Sequence, residues 1–176
     1  LLWLLAAYGL GSWAAVLLPK QKWCTVDREL LVAAAGVATL LWLDTVIGSL
    51  GLLAFRWVAF AFVAVPALGG VFRMRQWTRP TAPTTAASWA LLGAILPLSV
   101  LLVAALSTPG WLWQSEFGGY DALSYHLQLP REWLLHGAIV ETPHNAYGYL
   151  PNAVEAAFMH LGALAGQKGM WAAMEA

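Results

Sequence analysis

Charge is what this chain has least of. Lys, Arg, Asp and Glu make up 10% of its 176 residues, against about 25% in a soluble domain. That is too little polar material to cover a globule in water. Positive and negative side chains balance at nine each, which gives no support to a nucleic-acid or polyanionic partner; the placing of the charges says more than their sum. A lone cysteine, Cys24, excludes an internal disulfide, and neither C-x-x-C nor H-E-x-x-H spacing occurs. No segment alternates with period two, so strands are not expected.

Apolar length takes the place of charge. Hydrophobic residues are 60% of the chain and the mean hydropathy is +0.66. Four runs, Leu1–Leu18, Leu30–Ile47, Leu52–Phe72 and Trp89–Leu106, approach the ~20 residues that cross a bilayer. The expected fold is all-α: a polytopic transmembrane helical bundle with a long external loop of short membrane-surface helices. Residues 1–106 hold the four spans, 107–151 the loop, and 152–176 the start of the next helix. Leu1 already lies inside an apolar run, with no Met and no basic leader region. The chain is therefore expected to be an internal piece of a longer one.

The connections suggest a direction of insertion. Lys20, Lys22 and Arg28 lie in the first connection, and Arg73, Arg75 and Arg79 in the third. The tight turn Gly48–Gly51 has no charge, and the loop after Leu106 has Arg131 alone among Lys and Arg. The positive-inside rule then puts connections one and three in the cytoplasm and the long loop outside. Trp23, Trp77 and Trp89 on one side, with Trp111 and Trp113 on the other, form the expected aromatic belts. Pro66 and Pro97 lie within spans, where membrane helices tolerate proline, and Thr78–Ala87 reads as a flexible cytoplasmic linker. Asp44 and Arg56 flank the Gly48–Gly51 turn at similar depth. Ionisable residues in a span point to function or to mutual pairing; the simpler expectation here is that they pair, or that Arg56 snorkels to the interface.

The loop holds three of the four histidines, His126, His136 and His144, with Glu116, Asp121, Glu132 and Glu141. At 45 residues, Ser107–Pro151 exceeds ordinary connections, and its Leu, Trp and Tyr content argues against disorder. A helix is expected over Ala122–Leu129, then a second from Pro130 to His136, stopped by Gly137. Both are too short to span and would lie on the membrane surface. Asn152–Ala165 reads as a further helix, in which Glu155 and His160 argue against a simple lipid-facing span. Asp121 suits a helix N-cap. It also suits a catalytic carboxylate, with Tyr125 one turn on and His126 beside it. Tyr120 and Tyr125, flanking Asp121, suit interface anchors. His126, His136, His144 and Glu141 are the residue types of a metal site, but no tight spacing supports one.

The run Tyr120-Asp121-Ala122-Leu123-Ser124-Tyr125-His126-Leu127, then Leu129-Pro130, Trp133-Leu134, Gly137-Ala138-Ile139 and Tyr149-Leu150-Pro151-Asn152 with Glu155, resembles the first large external loop of bacterial GT-C membrane glycosyltransferases. These are similar to the dolichyl-phosphate-mannose protein mannosyltransferase and aminoarabinose transferase families. The resemblance runs from about Trp89 onward. It implies sugar transfer, with inversion, from a polyprenyl-phosphate donor to a lipid, glycan or protein acceptor at the outer face of the bacterial cytoplasmic membrane. Asp121 matches the general base, and Tyr120, Tyr125, His126 and Arg131 become candidates for substrate binding. Arg131 would steady the leaving phosphate. Some relatives use a divalent ion near the acid, so a divalent metal is a further implication, with no ligand assigned. Asp121 is followed by Ala122 where many relatives have a second acid, and Leu150-Pro151-Asn152 stands where the better-known families have paired prolines. Spans also precede the usual first one; together these departures point to a divergent subgroup. Rival readings are a transporter or lipid-flipping subunit working through Asp44 and Arg56, and a structural assembly subunit.

Overall fold

A computed structural model describes residues 2–17, 25–75, 99–100, 103 and 120–166. It is all-helical, with no strand among the described residues. Helix α1 is Leu2–Ala14, continued by a 3-10 turn to Leu17. Helix α2 is Thr25–Ser49 and α3 is Arg56–Arg75, joined through a 3-10 turn at Leu52–Ala54. After a π-turn at Ala122–His126 come α4, Gln128–His136, a 3-10 turn at Ala146–Tyr149, and α5, Ala153–Ala165. The expected fourth span lies outside the described residues apart from 99–100 and 103, as do the Thr78–Ala87 linker, the flanking tryptophans 23, 77, 89, 111 and 113, and Cys24.

Two helices are long and apolar enough to cross a membrane, over Arg28–Ser49 and Arg56–Arg75. The first expected span is shorter than its apolar run: α1 has 13 residues, below the ~17 that a crossing needs. The second and third shift from their apolar boundaries. Helix α2 starts earlier, because hydropathy marks apolar content while backbone hydrogen bonding carries the helix through the polar turn before it. Helix α3 starts later, because Gly51 at φ 72° turns the chain and residues 52–54 close a 3-10 turn first.

Glycines let the first three helices touch. Helix α1 lies between α2 and α3, which barely meet each other directly. A methyl on Gly11 would fall 1.8 Å from the Val32 carbonyl oxygen, and one on Gly36 would fall 1.8 Å from that of Ala7. On the opposite face, Gly9 meets the Pro66 backbone just as closely, and Gly70 meets that of Leu5 somewhat less closely. Small residues four apart (Ala7 and Gly11 against Gly36) are the means by which helices approach without a hydrophobic driving force between them. Ala6, Ala7, Leu40, Val63 and Ala67 form the core of this unit.

The surface of the unit is apolar and its interior is polar in places. Trp42, Trp57, Phe60, Leu68 and Phe72 face outward, Trp57 being 73% exposed, whereas Asp44 and His160 are 0% exposed. A second core, formed by Ile47, Leu53, Ala59, Leu129, Trp133 and Met159, packs α4 and α5 against the ends of α2 and α3 that flank their turn. The Ile139 amide donates to the Gly48 carbonyl at 3.0 Å, and the Trp133 indole donates to the Val140 carbonyl at 3.1 Å. The 120–166 segment is thus seated on one end of the helical unit.

Candidate functional site

The segment around Asp121 opens with helical backbone and widens into the π-turn Ala122–His126 before α4 begins. Single π-turns within helices are frequent at functional sites. Leu127, Leu129, Pro130 and Trp133 are buried and fix the segment to the second core. Pro130 sits in the first turn of α4, where no backbone donor is needed, and Gly137 at φ 77° ends the helix as expected.

Two asparagines shape the return of the chain toward this segment. Asn145 accepts from the Tyr147 amide at 3.1 Å and donates to the Ser124 carbonyl at 2.7 Å. Asn152 donates to the Tyr147 and Gly148 carbonyls, each at 3.1 Å. The Tyr147 ring therefore stacks on Tyr125, centroids 4.4 Å apart and planes 19° from parallel. Tyr125 in turn lies against the His126 ring at 4.0 Å. His126 Nδ1 meets Glu155 Oε1 at 2.6 Å, with Glu155 in the first turn of α5 and 4% exposed.

Asp121 stands at the edge of this group, exposed, and no described residue donates a hydrogen bond to its carboxylate. It does not cap the helix, so neither oxygen is engaged by a described residue. Its charge reaches the ring pair. Burial, then the negative charges of Asp121 and Glu155, push the Tyr125 phenol above its ordinary value. Tyr147 is raised first by the Tyr120 phenol beside it, then by desolvation and by Asp121. The phenols therefore hold their protons more firmly than free tyrosine and serve as hydrogen-bond donors.

Of the sequence candidates, Tyr120, Asp121, Tyr125 and His126 share this site. Arg131 does not join them: it is exposed on α4 and makes no ion pair among the described residues. His144 pairs with Glu132 at 3.1 Å, and His136 and Glu141 are exposed. Among the described residues no group of three or more His, Cys, Asp or Glu is arranged to hold a metal. Tyr147 and Glu155 complete the cluster, and sequence reasoning gave neither a role in it. The available signal was Glu155 itself, an acid inside an apolar helix, which needs a partner.

The expected pairing of Asp44 with Arg56 does not form. With α1 and α5 lying between α2 and α3, Asp44 points inward while Arg56 is exposed. Arg56 donates instead to the Leu164 carbonyl at 3.2 Å. Asp44 accepts from the Trp3 indole at 3.0 Å and meets His160 Nδ1 at 2.7 Å; His160 Nε2 lies 2.8 Å from the Ala59 carbonyl. A carbonyl only accepts, so Nε2 carries hydrogen. One further proton then lies between Nδ1 and Asp44, and the pair is neutral as a unit whichever atom holds it. This network joins α1, α2, α3 and α5 at a fully buried point. Toward the other ends of α2 and α3, Arg73 pairs with Glu29 at 2.9 Å, and the Tyr8 hydroxyl of α1 donates to the other Glu29 oxygen.

Compared with known proteins, the chain matches no family model, no curated protein and no solved structure.

Proposed function

We propose that this chain belongs to a polytopic membrane glycosyltransferase of the GT-C kind, with the 107–151 loop on the outer side of a bacterial cytoplasmic membrane. Support for the membrane setting comes from the exterior of α2 and α3, where Trp42, Trp57 and Phe60 face outward, while Asp44 and His160 are enclosed. That arrangement suits lipid as the solvent, because ionisable groups in a membrane face the protein interior.

The observation that carries the catalytic reading is Asp121: an exposed, unbonded carboxylate beside Tyr120, Tyr125 and Tyr147. In the proposed reaction an acceptor hydroxyl attacks the anomeric carbon of a polyprenyl-phosphate sugar. Its O–H bond breaks and the proton passes to an Asp121 oxygen. The new C–O bond forms as the bond to the phosphate breaks, and the electron pair leaves on the phosphate, with inversion. Glu155 is a poorer base, since it is buried and already bonded to His126. The exposed Tyr120 ring suits a sugar face, and the phenol hydroxyls of the cluster can donate to the sugar. Arg131 lies outside the cluster, so the cation for the leaving phosphate must come from another part of the protein.

The test is sugar transfer in membranes carrying the full-length protein. Asp121→Asn should lose about 100-fold or more in rate at unchanged expression. Full activity in that variant would remove Asp121 as the base. A second reading, a membrane protein that moves protons or solutes without glycosyl transfer, draws on the buried Asp44–His160 pair. It gains if Asp44→Asn alone blocks function and Asp121→Asn does not.

A further inference from the structure

Beside the helical unit, away from the Asp121 cluster, there is a cavity of about 840 Å³ open on one side. Its walls include Trp3 of α1, Trp57 and Phe60 of α3, and Leu161 and Leu164 of α5, and its one charged lining residue is Arg56. The volume lies within the range of small-molecule sites, roughly 300–1,000 Å³. Arg56 is the first residue of α3, directly after the turn that ends the apolar part of α2. In a bilayer this position falls at headgroup depth, where Trp3 and Trp57 also belong. One Arg56 nitrogen is bonded to the Leu164 carbonyl. No carboxylate among the described residues pairs with the guanidinium, which leaves a charge and further N–H donors at the mouth of an apolar slot.

We infer that this groove binds one anionic phospholipid, with an acyl chain along Phe60 and Leu161 and the phosphate on Arg56. The chemistry on each side matches: guanidinium groups take phosphate oxygens through paired N–H donors, and basic pockets between membrane helices hold lipid headgroups. The occupant is a structural lipid and not the sugar donor at its reacting end. Leu164, which Arg56 touches, lies nine residues along α5 from Glu155, about 14 Å at the helical rise. A phosphate at Arg56 is therefore too far from the Asp121 cluster to leave from a sugar there. The inference holds whether or not the protein transfers sugars.

The full-length protein should be placed in nanodiscs of phosphatidylcholine with a minor share of phosphatidylglycerol, released into mild detergent, and examined for retained lipid by native mass spectrometry. Wild type should retain one phosphatidylglycerol in preference to phosphatidylcholine. Arg56→Gln should weaken that retention about tenfold, the scale of one lost charge-assisted bond, and Arg56→Lys should restore part of it. Leu161→Trp, which fills the slot without touching the charge, should also reduce it, while Arg131→Gln, a charge removed elsewhere on the surface, should not. Equal retention of the two lipids by wild type, or a full complement in both Arg56→Gln and Leu161→Trp, would overturn the proposal. Displacement by glycerol phosphate alone would overturn it as well, by showing that the chain plays no part.

Discussion

Replacing Asp44 with leucine and with asparagine separates two accounts of the buried network. Leucine removes both acceptors, so the half-buried Trp3 indole and the fully buried His160 Nδ1 lose their partners. Each stranded buried group costs about 1–3 kcal/mol. Bonds between membrane helices average nearer ~0.6 kcal/mol because the unfolded chain in lipid also finds partners. The expected loss for Asp44→Leu is therefore about 2–5 kcal/mol. Asparagine is different. Its oxygen can still accept from Trp3, and its amide can donate to Nδ1, provided that His160 is neutral with hydrogen on Nε2. The Ala59 carbonyl enforces that tautomer. Asp44→Asn should then cost less than about 1.5 kcal/mol, on the scale of one altered hydrogen bond. Denaturing-detergent titration of the folded helices, followed by circular dichroism, reads both values. An Asp44→Asn variant as unstable as Asp44→Leu would refute this donor and acceptor assignment, and an unperturbed Asp44→Leu would refute the network itself.

Gly36→Ala puts a methyl 1.8 Å from the Ala7 carbonyl oxygen; it should cost more than the ~1–3 kcal/mol of ordinary overpacking, and wild-type stability in detergent would show that α1 and α2 are not so close. Asp121→Asn should make the Tyr125 phenol ionise at lower pH, and Tyr120→Phe should do the same for Tyr147 by more than Asp121→Asn does, in line with its largest cause; an ultraviolet difference titration unmoved by both changes would separate Asp121 and Tyr120 from the stacked rings. Glu132 is held below its ordinary carboxyl value of 4.5, first by the Gln128 amide and then, against its partial burial, by His144. The folded state therefore binds that proton more weakly than the unfolded state. Its contribution is present above 4.5 and lost as pH falls through the lower folded value; Gln128→Leu should shrink this acid-range loss, which is below about 1 kcal/mol for so accessible a pair.

Local signals account for what the sequence made legible. Length and hydropathy identify α2 and α3, and Gly137 marks the end of α4 because a left-handed residue there costs glycine nothing. Asp121, Tyr125 and His126 lie within one or two turns, so their neighbourhood follows from helical spacing. The remainder depends on tertiary placement. Tyr147 reaches Tyr125 through two asparagine side chains, and Glu155 reaches His126 across 29 residues. The π-turn has no spacing signature in five residues, so an ordinary helix is the natural reading of that stretch. Asp44 and Arg56 looked like partners because they flank a short turn. Proximity to a turn fixes depth and not direction: α1 and α5 enter between α2 and α3, and the partner of Asp44 lies 116 residues away.

Helix α5 connects these features, and its composition explains why. At 13 residues it is about 20 Å long, too short to cross a bilayer, yet it is apolar apart from Glu155 and His160. Both are buried, at 4% and 0% exposure, so each requires a partner to offset its desolvation. Glu155 finds His126 in the segment that carries Asp121, and His160 finds Asp44 in the helical unit. The helix is thereby held at two points by groups that cannot let go without leaving a buried polar atom unsatisfied. Those points are about five residues, or 1.4 turns, apart, so the two partners approach from different sides of α5. Rotation of the helix that favoured one bond would break the other. The unit of α1, α2 and α3 thus sets the azimuth of α5, and through Glu155 and His126 it sets the position of the surface on which Asp121 stands.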